Sequence, residues 1–364
     1  MKILHFIYGL HTGGAETFLE NLMTVLPPDD YEFHFALQDS YISNRKIRGL
    51  IESRGYNLIH FIPTFTNHPF SQYHCLKDLI QRERFDFVHI HMNAIINPIP
   101  MIVCRRAGIR TILHSHNTNS NGGIIGRLLH HANRRIFVGN KLRFVACSAL
   151  AGQWMFGSRP FTIVDNAVNL EKLSYNAEAR DSLRSRYGIS SNDIVLGSVG
   201  RLTLQKNHKQ MIEIFCAFHK KFPKSRLMIV GDGPLRKDLE IQAKNTGLAD
   251  YIIFCGNQSD PAPFYSAMDC FLMPSLFEGL AFTAIEAQAS GLPIVVSTNL
   301  SEEVFQTDYI IRESLDASGE QWTEKIGQLL KHFDSDSRSQ RSKQMKATRF
   351  DLAAQNKAYK ALYC

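Results

Sequence analysis

Short, continuously apolar runs separated by longer amphipathic segments are the feature that most limits the fold of this chain. Because the runs are apolar throughout rather than alternating, they predict parallel strands covered by helices on both faces. Two sets of runs predict two doubly wound α/β domains, whose ligands bind at the carboxyl ends of the strands. The runs are KILHFIYG, FHFALQD, NLIHFIP, FVHIHM, RTILHSHN, RFVACS and TIVDNAV, then IVLGSVGR, RLMIVGDG, YIIFCGN, CFLMPS and PIVVST.

A charged stretch without a core strand, NLEKLSYNAEARDSLRSRYGISSND, interrupts this rhythm. It places the domain boundary near residues 168–188. We therefore expect a first domain at 1–170 and a second at 171–345. The segment LAAQNKAYKALYC predicts a last helix within about 346–364, which needs a partner face to cover its apolar side.

The cysteines and the apolar content narrow the class of protein. The sequence has 7 cysteines, scattered and without CxxC spacing. This argues against a disulfide framework and a cysteine-based zinc site, and favours a reducing compartment. No apolar run reaches the ~18 residues of a membrane span. The N-terminal run is interpreted as the first strand, and the expected location is cytoplasmic.

Charge is unevenly distributed along the chain. Residues 1–170 contain 17 Lys and Arg against 11 Asp and Glu, whereas the remainder contains 24 against 23. A basic first half indicates an anionic partner: nucleic acid, a membrane surface or a phosphorylated ligand. The basic cluster at 126–144 fits a surface for such a partner and equally fits a solvated helix face.

Several distinctive residues follow the predicted strands. Gly13 and Gly14 open a helix and allow close backbone approach, in a tight turn or a phosphate loop. Arg201 and Lys206 follow IVLGSVG and suit a diphosphate. The alternative is that both are ordinary surface cations without a ligand. Gly231, in GDGPL, and Asn257, in CGNQSD, lie in turns too common to identify a ligand alone.

Two histidines, His114 and His116, end the run RTILHSHN. Alternation along a strand puts them on the same face. A metal site would need a third ligand, and no nearby acid or cysteine supplies one. We expect no metal here, and weigh a ligand contact of His116 evenly against an ordinary polar role.

The stretch SLFEGLAFTAIEAQASGLPIV places Glu278 and Glu286 in apolar surroundings. It predicts a loop at 275–279 and a helix at roughly 281–290 that Gly291 ends. Both carboxylates can then face one crevice and accept sugar hydroxyls. The amides between them would form an anion site, with Gly279, Leu280, Ala281 and Phe282 contributing. A nucleotide sugar has that layout; the alternative is an N-capping Glu and a Glu at the core edge.

The assembled pattern resembles the retaining glycosyltransferases of family 4, which have the GT-B fold. The E-x7-E pattern matches Glu278 and Glu286, and R-x4-K matches Arg201 and Lys206. GGAE, His116, NAV at 166–168 and GDGPL follow the family's order. The phrases GRLTLQKNH, PSLFEGL and IEAQASGLP resemble a bacterial subgroup that makes capsular and extracellular polysaccharide.

The resemblance implies a role for each matched residue. Arg201 and Lys206 would bind the donor diphosphate and stabilise the leaving group, and Glu286 would accept the ribose hydroxyls. Glu278 would hold donor-sugar hydroxyls, helped by amides at 280–282. Among residues of the first domain, His116 would contact the donor sugar, and Gly13 with Gly14 would admit the diphosphate.

The resemblance also implies the partners. The family needs no metal and no other cofactor, and UDP is the first choice of nucleotide, with GDP second. The acceptor would be a saccharide on a lipid diphosphate, reached at the inner membrane face through the cations of 126–144, with no nucleic acid involved. The last helix would cross back to the first domain. Gly-Leu-Ala at 279–281 departs from the family's Gly-Phe-Gly, which leaves the donor sugar open.

Three other functions compete with transfer. A nucleotide-sugar epimerase can share the GT-B fold but should lack E-x7-E. A nucleotide-binding protein without catalysis is disfavoured by the intact charged residues. An NAD oxidoreductase would need a GxGxxG loop followed by an acid ~20 residues later, a pattern that the sequence lacks.

Overall fold

The computed structural model describes residues 1–364 apart from 12, 43, 56–57, 118–122, 137–140, 279, 332–336 and 347; the side chains of 45, 135 and 136 also lie outside the description. The chain divides into two compact units. The first contains Met1–Ala167 and Gln355–Cys364, and the second contains Val168–Ala354.

The first unit is built on a seven-stranded parallel sheet in the order β3-β2-β1-β4-β5-β6-β7. Its strands are β1 (Lys2–Ile7), β2 (Glu32–Leu37), β3 (Ile59–Phe61), β4 (Phe87–Met92), β5 (Arg110–Ser115), β6 (Leu142–Ala146) and β7 (Thr162–Ile163). Its helices are α1 (Gly14–Val25), α2 (Arg45–Glu52), α3 (Pro69–Glu83), α4 (Ile99–Ala107), α5 (Gly123–Ile136) and α6 (Ala149–Phe156).

The second unit has a six-stranded parallel sheet in the order β10-β9-β8-β11-β12-β13. Its strands are β8 (Ile194–Val199), β9 (Ser225–Val230), β10 (Ile252–Gly256), β11 (Cys270–Met273), β12 (Ile294–Ser297) and β13 (Ile310–Glu313). Its helices are α7 (Leu170–Leu173), α8 (Ala177–Arg186), α9 (His208–Lys221), α10 (Arg236–Asn245), α11 (Ala262–Ala267), α12 (Phe282–Ala289), α13 (Gly319–Lys331) and α14 (Arg338–Lys343). The last helix of the chain, α15 (Leu352–Ala361), begins in this unit.

The burial of the central strands explains why both sheets are parallel. In β1 and in β2, five of the six residues are buried, and all of β11 and β12 is buried. A strand covered on both faces requires helices on both sides, which βαβ crossovers supply. The predicted α/β class with two doubly wound halves is therefore confirmed.

One strand was missed by the sequence prediction. Strand β13 was not expected, because none of its four residues is fully buried and two of them, Arg312 and Glu313, are charged. The last helix begins at Leu352, the first residue of LAAQNKAYKALYC, as expected, and Asp351 accepts a hydrogen bond from the Ala353 amide at the helix start. The helix at 282–289 and its stop at Gly291, which has a φ of 69°, agree with expectation.

The end of the chain belongs to the first unit. Tyr359 and Tyr363 are buried there; the Tyr359 ring stacks on Phe18, and the Tyr363 hydroxyl lies 2.7 Å from His89 Nδ1. The first unit, through Phe18 of α1, therefore supplies the partner face that the last helix was expected to need.

Candidate functional site

Three strand-end glycines hold the turns after β8, β9 and β10 in backbone contact. The Gly200 amide donates to the Val230 carbonyl at 2.9 Å, and the Gly231 amide donates to the Gly256 carbonyl at 2.8 Å. A Cβ on Gly231 would lie 2.0 Å from the Gly200 carbonyl oxygen, and its φ of 133° disfavours other residues. Packing therefore explains this glycine, and its contact with a ligand stays a prediction.

The two predicted diphosphate cations both follow β8. Arg201 is exposed and follows the strand after Gly200, and Lys206 ends a short 3-10 helix, Leu204–Lys206. A Cβ on Gly200 would lie 3.3 Å from Lys206 Cε. The Lys206 side chain thus lies back over the strand end, where parallel sheets bind ligands.

Lys206 and Glu278 form an ion pair. Lys206 Nζ lies 2.9 Å from Glu278 Oε1, and the two side chains are only 19% and 7% exposed. The contact is not aligned as a hydrogen bond, and Oε1 has no hydrogen-bond partner among the described residues. The structure therefore pairs Lys206, the predicted phosphate cation, with Glu278, the predicted sugar carboxylate. Oε1 of Glu278 is left able to accept a hydrogen bond from a sugar hydroxyl.

Gln205 fixes the orientation of Glu278. Its Nε2 donates to the Phe277 carbonyl at 3.0 Å and to Glu278 Oε2 at 3.2 Å. Its own carbonyl accepts the Leu276 amide at 2.9 Å. The sequence prediction missed this residue, whose only signal was its place between Arg201 and Lys206.

Glu286 is held by a tyrosine that the sequence prediction also missed. Tyr265, buried on α11, donates from its hydroxyl to Glu286 Oε2 at 2.7 Å. Burial, followed by the charge of Glu286, raises the pKa of Tyr265 well above its ordinary value. The tyrosine therefore stays protonated as a donor and orients the carboxylate.

The start of α12 partly differs from the predicted anion site. The Phe282 amide donates to the Leu280 carbonyl at 2.8 Å, so the prediction that it is free is wrong: the chain closes a tight turn there. Ala281 is buried at the N-cap without a capping side chain. Gly279 lies outside the described residues. Asn257 is exposed directly after β10.

In the first unit, Gly13 and Gly14 begin α1. Gly13 is the N-cap in extended conformation, and the Gly14 carbonyl accepts a hydrogen bond from Asn166 Nδ2 at 3.0 Å. Glu16, whose pKa is raised by burial, accepts the His11 amide at 3.2 Å. This helix start thus carries a carboxylate of its own, and diphosphate contact there remains a prediction.

His116 lies at the end of β5 and is partly exposed. Its Nε2 lies 2.8 Å from His91 Nδ1. Burial lowers the pKa of His116 to about 3, so the imidazole is neutral near pH 7. A neutral ring can give and accept one hydrogen bond each, which suits a sugar hydroxyl.

Two parallel doubly wound units with charged residues at strand ends are the architecture of GT-B glycosyltransferases, and comparison with known proteins agrees. The family described as "Glycosyltransferase Family 4" matches residues 12–172. The family described as "Glycosyl transferases group 1" matches residues 179–347. The two descriptions apply to the two parts of one kind of glycosyltransferase. The chain, matched by both, belongs to these glycosyltransferases and is of the GT-B type.

Relatives and solved structures extend the match. The "Putative glycosyltransferase EpsF" of Bacillus subtilis is 28% identical over 89% of this chain and 86% of its own length. The "UDP-Gal:alpha-D-GlcNAc-diphosphoundecaprenol alpha-1,3-galactosyltransferase" of Escherichia coli is 27% identical over 61% of this chain and 60% of its own length. The structure of Anabaena Alr3699/HepE with UDP-glucose has a TM-score of 0.79 at 18% identity, covering 100% of this chain and 99% of that one.

Among the helices of the described residues, none is both long enough and apolar enough to cross a bilayer.

Proposed function

We propose that this protein is a retaining glycosyltransferase that moves a sugar from a nucleotide sugar, most simply a UDP-sugar, to a lipid-linked or oligosaccharide acceptor in bacterial surface polysaccharide synthesis. The similarity to the Escherichia coli galactosyltransferase, whose name gives a diphosphoundecaprenol-linked acceptor, supports the acceptor class. The likeness of fold to a protein solved with UDP and with UDP-glucose favours UDP. The location would be cytoplasmic.

The observation that carries the donor site is the Lys206–Glu278 pair, held by Gln205 at the end of β8. An ammonium has three donor hydrogens, so Lys206 can keep its contact with Glu278 and still bind a phosphate oxygen. The carboxylate then accepts a sugar hydroxyl through Oε1. The Lys206–Glu278 pair thus contacts both the sugar and the leaving diphosphate. Negative charge develops on the diphosphate in the transition state.

The other residues complete the proposed donor site. Arg201 binds the diphosphate through two N–H groups of its guanidinium, and Glu286 accepts hydrogen bonds from the ribose hydroxyls. The backbone of 280–281 and Asn257 are assigned to the donor, whereas donor contacts of Gly13, Gly14 and His116 stay predictions from the sequence resemblance. Transfer is proposed to need no metal and no other cofactor, with positioning and leaving-group stabilisation supplying the rate.

The donor is identified by a thermal-shift panel of UDP- and GDP-sugars with the full chain. A donor present at 100 times its Kd stabilises the folded state by about 2.7 kcal/mol, so the true donor should raise the Tm by several degrees. NMR of the product's anomeric centre then tests retention. An inverted product would contradict the retaining mechanism, and release of an isomerised nucleotide sugar would favour an epimerase.

The proposed membrane contact is assigned to one face of α5. Ile124, Ile125 and Leu128 are 74%, 73% and 65% exposed, and Arg127 beside them is exposed too. Arg134, by contrast, donates to the Trp154 carbonyl. An exposed apolar stripe next to cations fits an interfacial helix on an anionic membrane, with the stripe in the acyl boundary.

Replacing this stripe should weaken membrane binding. The double variant Ile125→Ser with Leu128→Ser should bind vesicles containing phosphatidylglycerol at least tenfold less tightly, because burying one such side chain contributes about 1.5–3 kcal/mol. Cosedimentation measures this. Ile241→Ser, which removes a similarly exposed side chain from α10, is the matched control. Unchanged binding by the double variant would show that α5 is an ordinary solvated face.

A further inference from the structure

Five histidines lie side by side on one face of the first unit's sheet. His5 lies on β1, His89 and His91 on β4, and His114 and His116 at the end of β5; all are buried except His116, which is partly exposed. The parallel register places His5 opposite His89 and His91 opposite His114. Buried polar groups are normally satisfied by partners, so a cluster of this size requires an account of every ring nitrogen.

We propose that His91, His114 and His116 form a binding site for a divalent transition-metal ion of the Zn²⁺ class. One ring nitrogen from each lies within 4.8 Å of the others. Three imidazoles with one further position open is an established zinc coordination pattern. Imidazole ligands suit zinc, copper and nickel, whereas magnesium and calcium prefer oxygen.

Two of the three ligand atoms, on His91 and His116, already face each other, whereas the His114 ring is stacked on His116 at a centroid distance of 4.0 Å and has to turn toward the ion. His91 Nδ1 and His116 Nε2 are 2.8 Å apart. Zinc–nitrogen bonds of ~2.0–2.1 Å put two tetrahedral ligands ~3.3 Å apart, so separating the rings by ~0.5 Å makes room. His114 contributes Nε2, a buried nitrogen that has no hydrogen-bond partner among the described residues.

Two of the three ligating rings, His91 and His114, have outer partners of the kind a metal site requires, whereas His116 Nδ1 and His5 Nε2 are buried without a hydrogen-bond partner among the described residues. With the ion on His91 Nδ1, the His91 proton sits on Nε2, 3.0 Å from the acceptor His5 Nδ1. With the ion on His114 Nε2, Nδ1–H donates to His89 Nε2 at 3.2 Å, and His89 in turn donates to the Tyr363 hydroxyl at 2.7 Å. Such outer partners fix the tautomer of a ligating histidine and raise its basicity.

Access favours this triplet over the neighbouring one. His5, His89 and His91 also bring their nitrogens within 4.8 Å, but all three are buried. His116 alone gives the cluster a partly exposed side, and the ion can enter there.

Metal binding by the full-length chain tests the site directly and independently of transfer. After chelator treatment and dialysis, the protein is titrated with Zn²⁺ against a chromophoric competitor, and with Co²⁺ followed by visible absorption. We expect one ion per chain, the intense absorption of tetrahedral Co²⁺, and no displacement by excess Mg²⁺. Absence of Zn²⁺ binding would overturn the proposal, because the imidazoles would then only hydrogen-bond one another.

Glutamine variants locate the ion. His91→Gln and His114→Gln should each weaken Zn²⁺ binding by about 100-fold or more, and His5→Gln, which removes only an outer acceptor, by about 10–100-fold. His60→Gln is the matched control, because His60 lies on β3 of the same sheet but pairs with His34 outside the cluster. Wild-type affinity in His91→Gln and His114→Gln would refute the site. Should His91→Gln fail to fold, His114→Gln and the wild-type Co²⁺ spectrum decide.

Discussion

Lys206→Ala should lower the rate of sugar transfer by about 10²–10³, the usual effect of removing one charged or hydrogen-bonding group that stabilises a developing anion. The ammonium lies 2.9 Å from Glu278 at the end of β8 and is proposed to bind the leaving diphosphate. Transfer is measured with the donor found by thermal shift. Lys209→Ala is the matched control, because Lys209 is exposed nearby on α9. A folded Lys206→Ala protein with wild-type transfer would contradict the donor-site assignment.

A double-mutant cycle tests whether Lys206 and Glu278 act as one unit. Glu278→Gln keeps the side-chain shape near Gln205 but removes the charge that faces Lys206. If the pair joins sugar and diphosphate as proposed, the double variant should be markedly less impaired than the product of the single effects, with a coupling energy of 0.5–3 kcal/mol. If the two single effects on the transfer rate simply multiply in the double variant, Lys206 and Glu278 act independently, which would contradict the proposed pair. Melting temperatures are measured alongside, since Lys206→Ala leaves a mostly buried carboxylate without its cation.

The fold was largely predictable because its central strands are apolar on both faces. The exception, β13, shows the limit of that signal. Ile310–Glu313 is an edge strand with Ile294 opposite Ile310, and its Arg312 pairs with Glu302 at 2.8 Å. A strand that keeps a charged residue in solvent gives no continuous apolar run, so hydrophobic patterning cannot separate it from a loop.

The candidate site was predictable in its charged residues but not in its contacts. Arg201, Lys206 and Glu278 stand out because they follow strands. Gln205 and Tyr265 do not, since a glutamine in a turn and a tyrosine in an apolar helix are ordinary residues. Their roles arise from tertiary packing, which brings each to one carboxylate oxygen.

The proposed histidine site depends on strand register, which the sequence does not show. The sequence places His114 and His116 on one face, and a third ligand was expected only among acids and cysteines nearby in sequence. The third ring, His91, comes from β4, because the parallel pairing sets His91 opposite His114. Register depends on how two strands align in space, and a single sequence does not give it.

Glu286→Ala should reduce kcat/KM for the donor by about 10²–10⁴. Two hydrogen bonds from ribose hydroxyls to a carboxylate contribute about 1.5–3 kcal/mol each. The loss should appear mainly in KM, because the ribose is remote from the reacting carbon and is held equally in ground and transition states. Tyr265→Phe, which removes only the hydroxyl 2.7 Å from Glu286, should reduce kcat/KM about tenfold, since the carboxylate remains but loses one orienting hydrogen bond.

A donor built on 2′-deoxyuridine separates a ribose contact from a structural role of Glu286. The wild type should use this analogue much less well than the natural donor, because the partly buried Glu286 carboxylate loses its hydroxyl partner. The Glu286→Ala variant should use the two donors almost equally, since it lacks the carboxylate that would accept a hydrogen bond from the 2′-hydroxyl. If Glu286→Ala still discriminates as the wild type does, the carboxylate serves the packing of α12 against Tyr265, and the ribose is bound elsewhere.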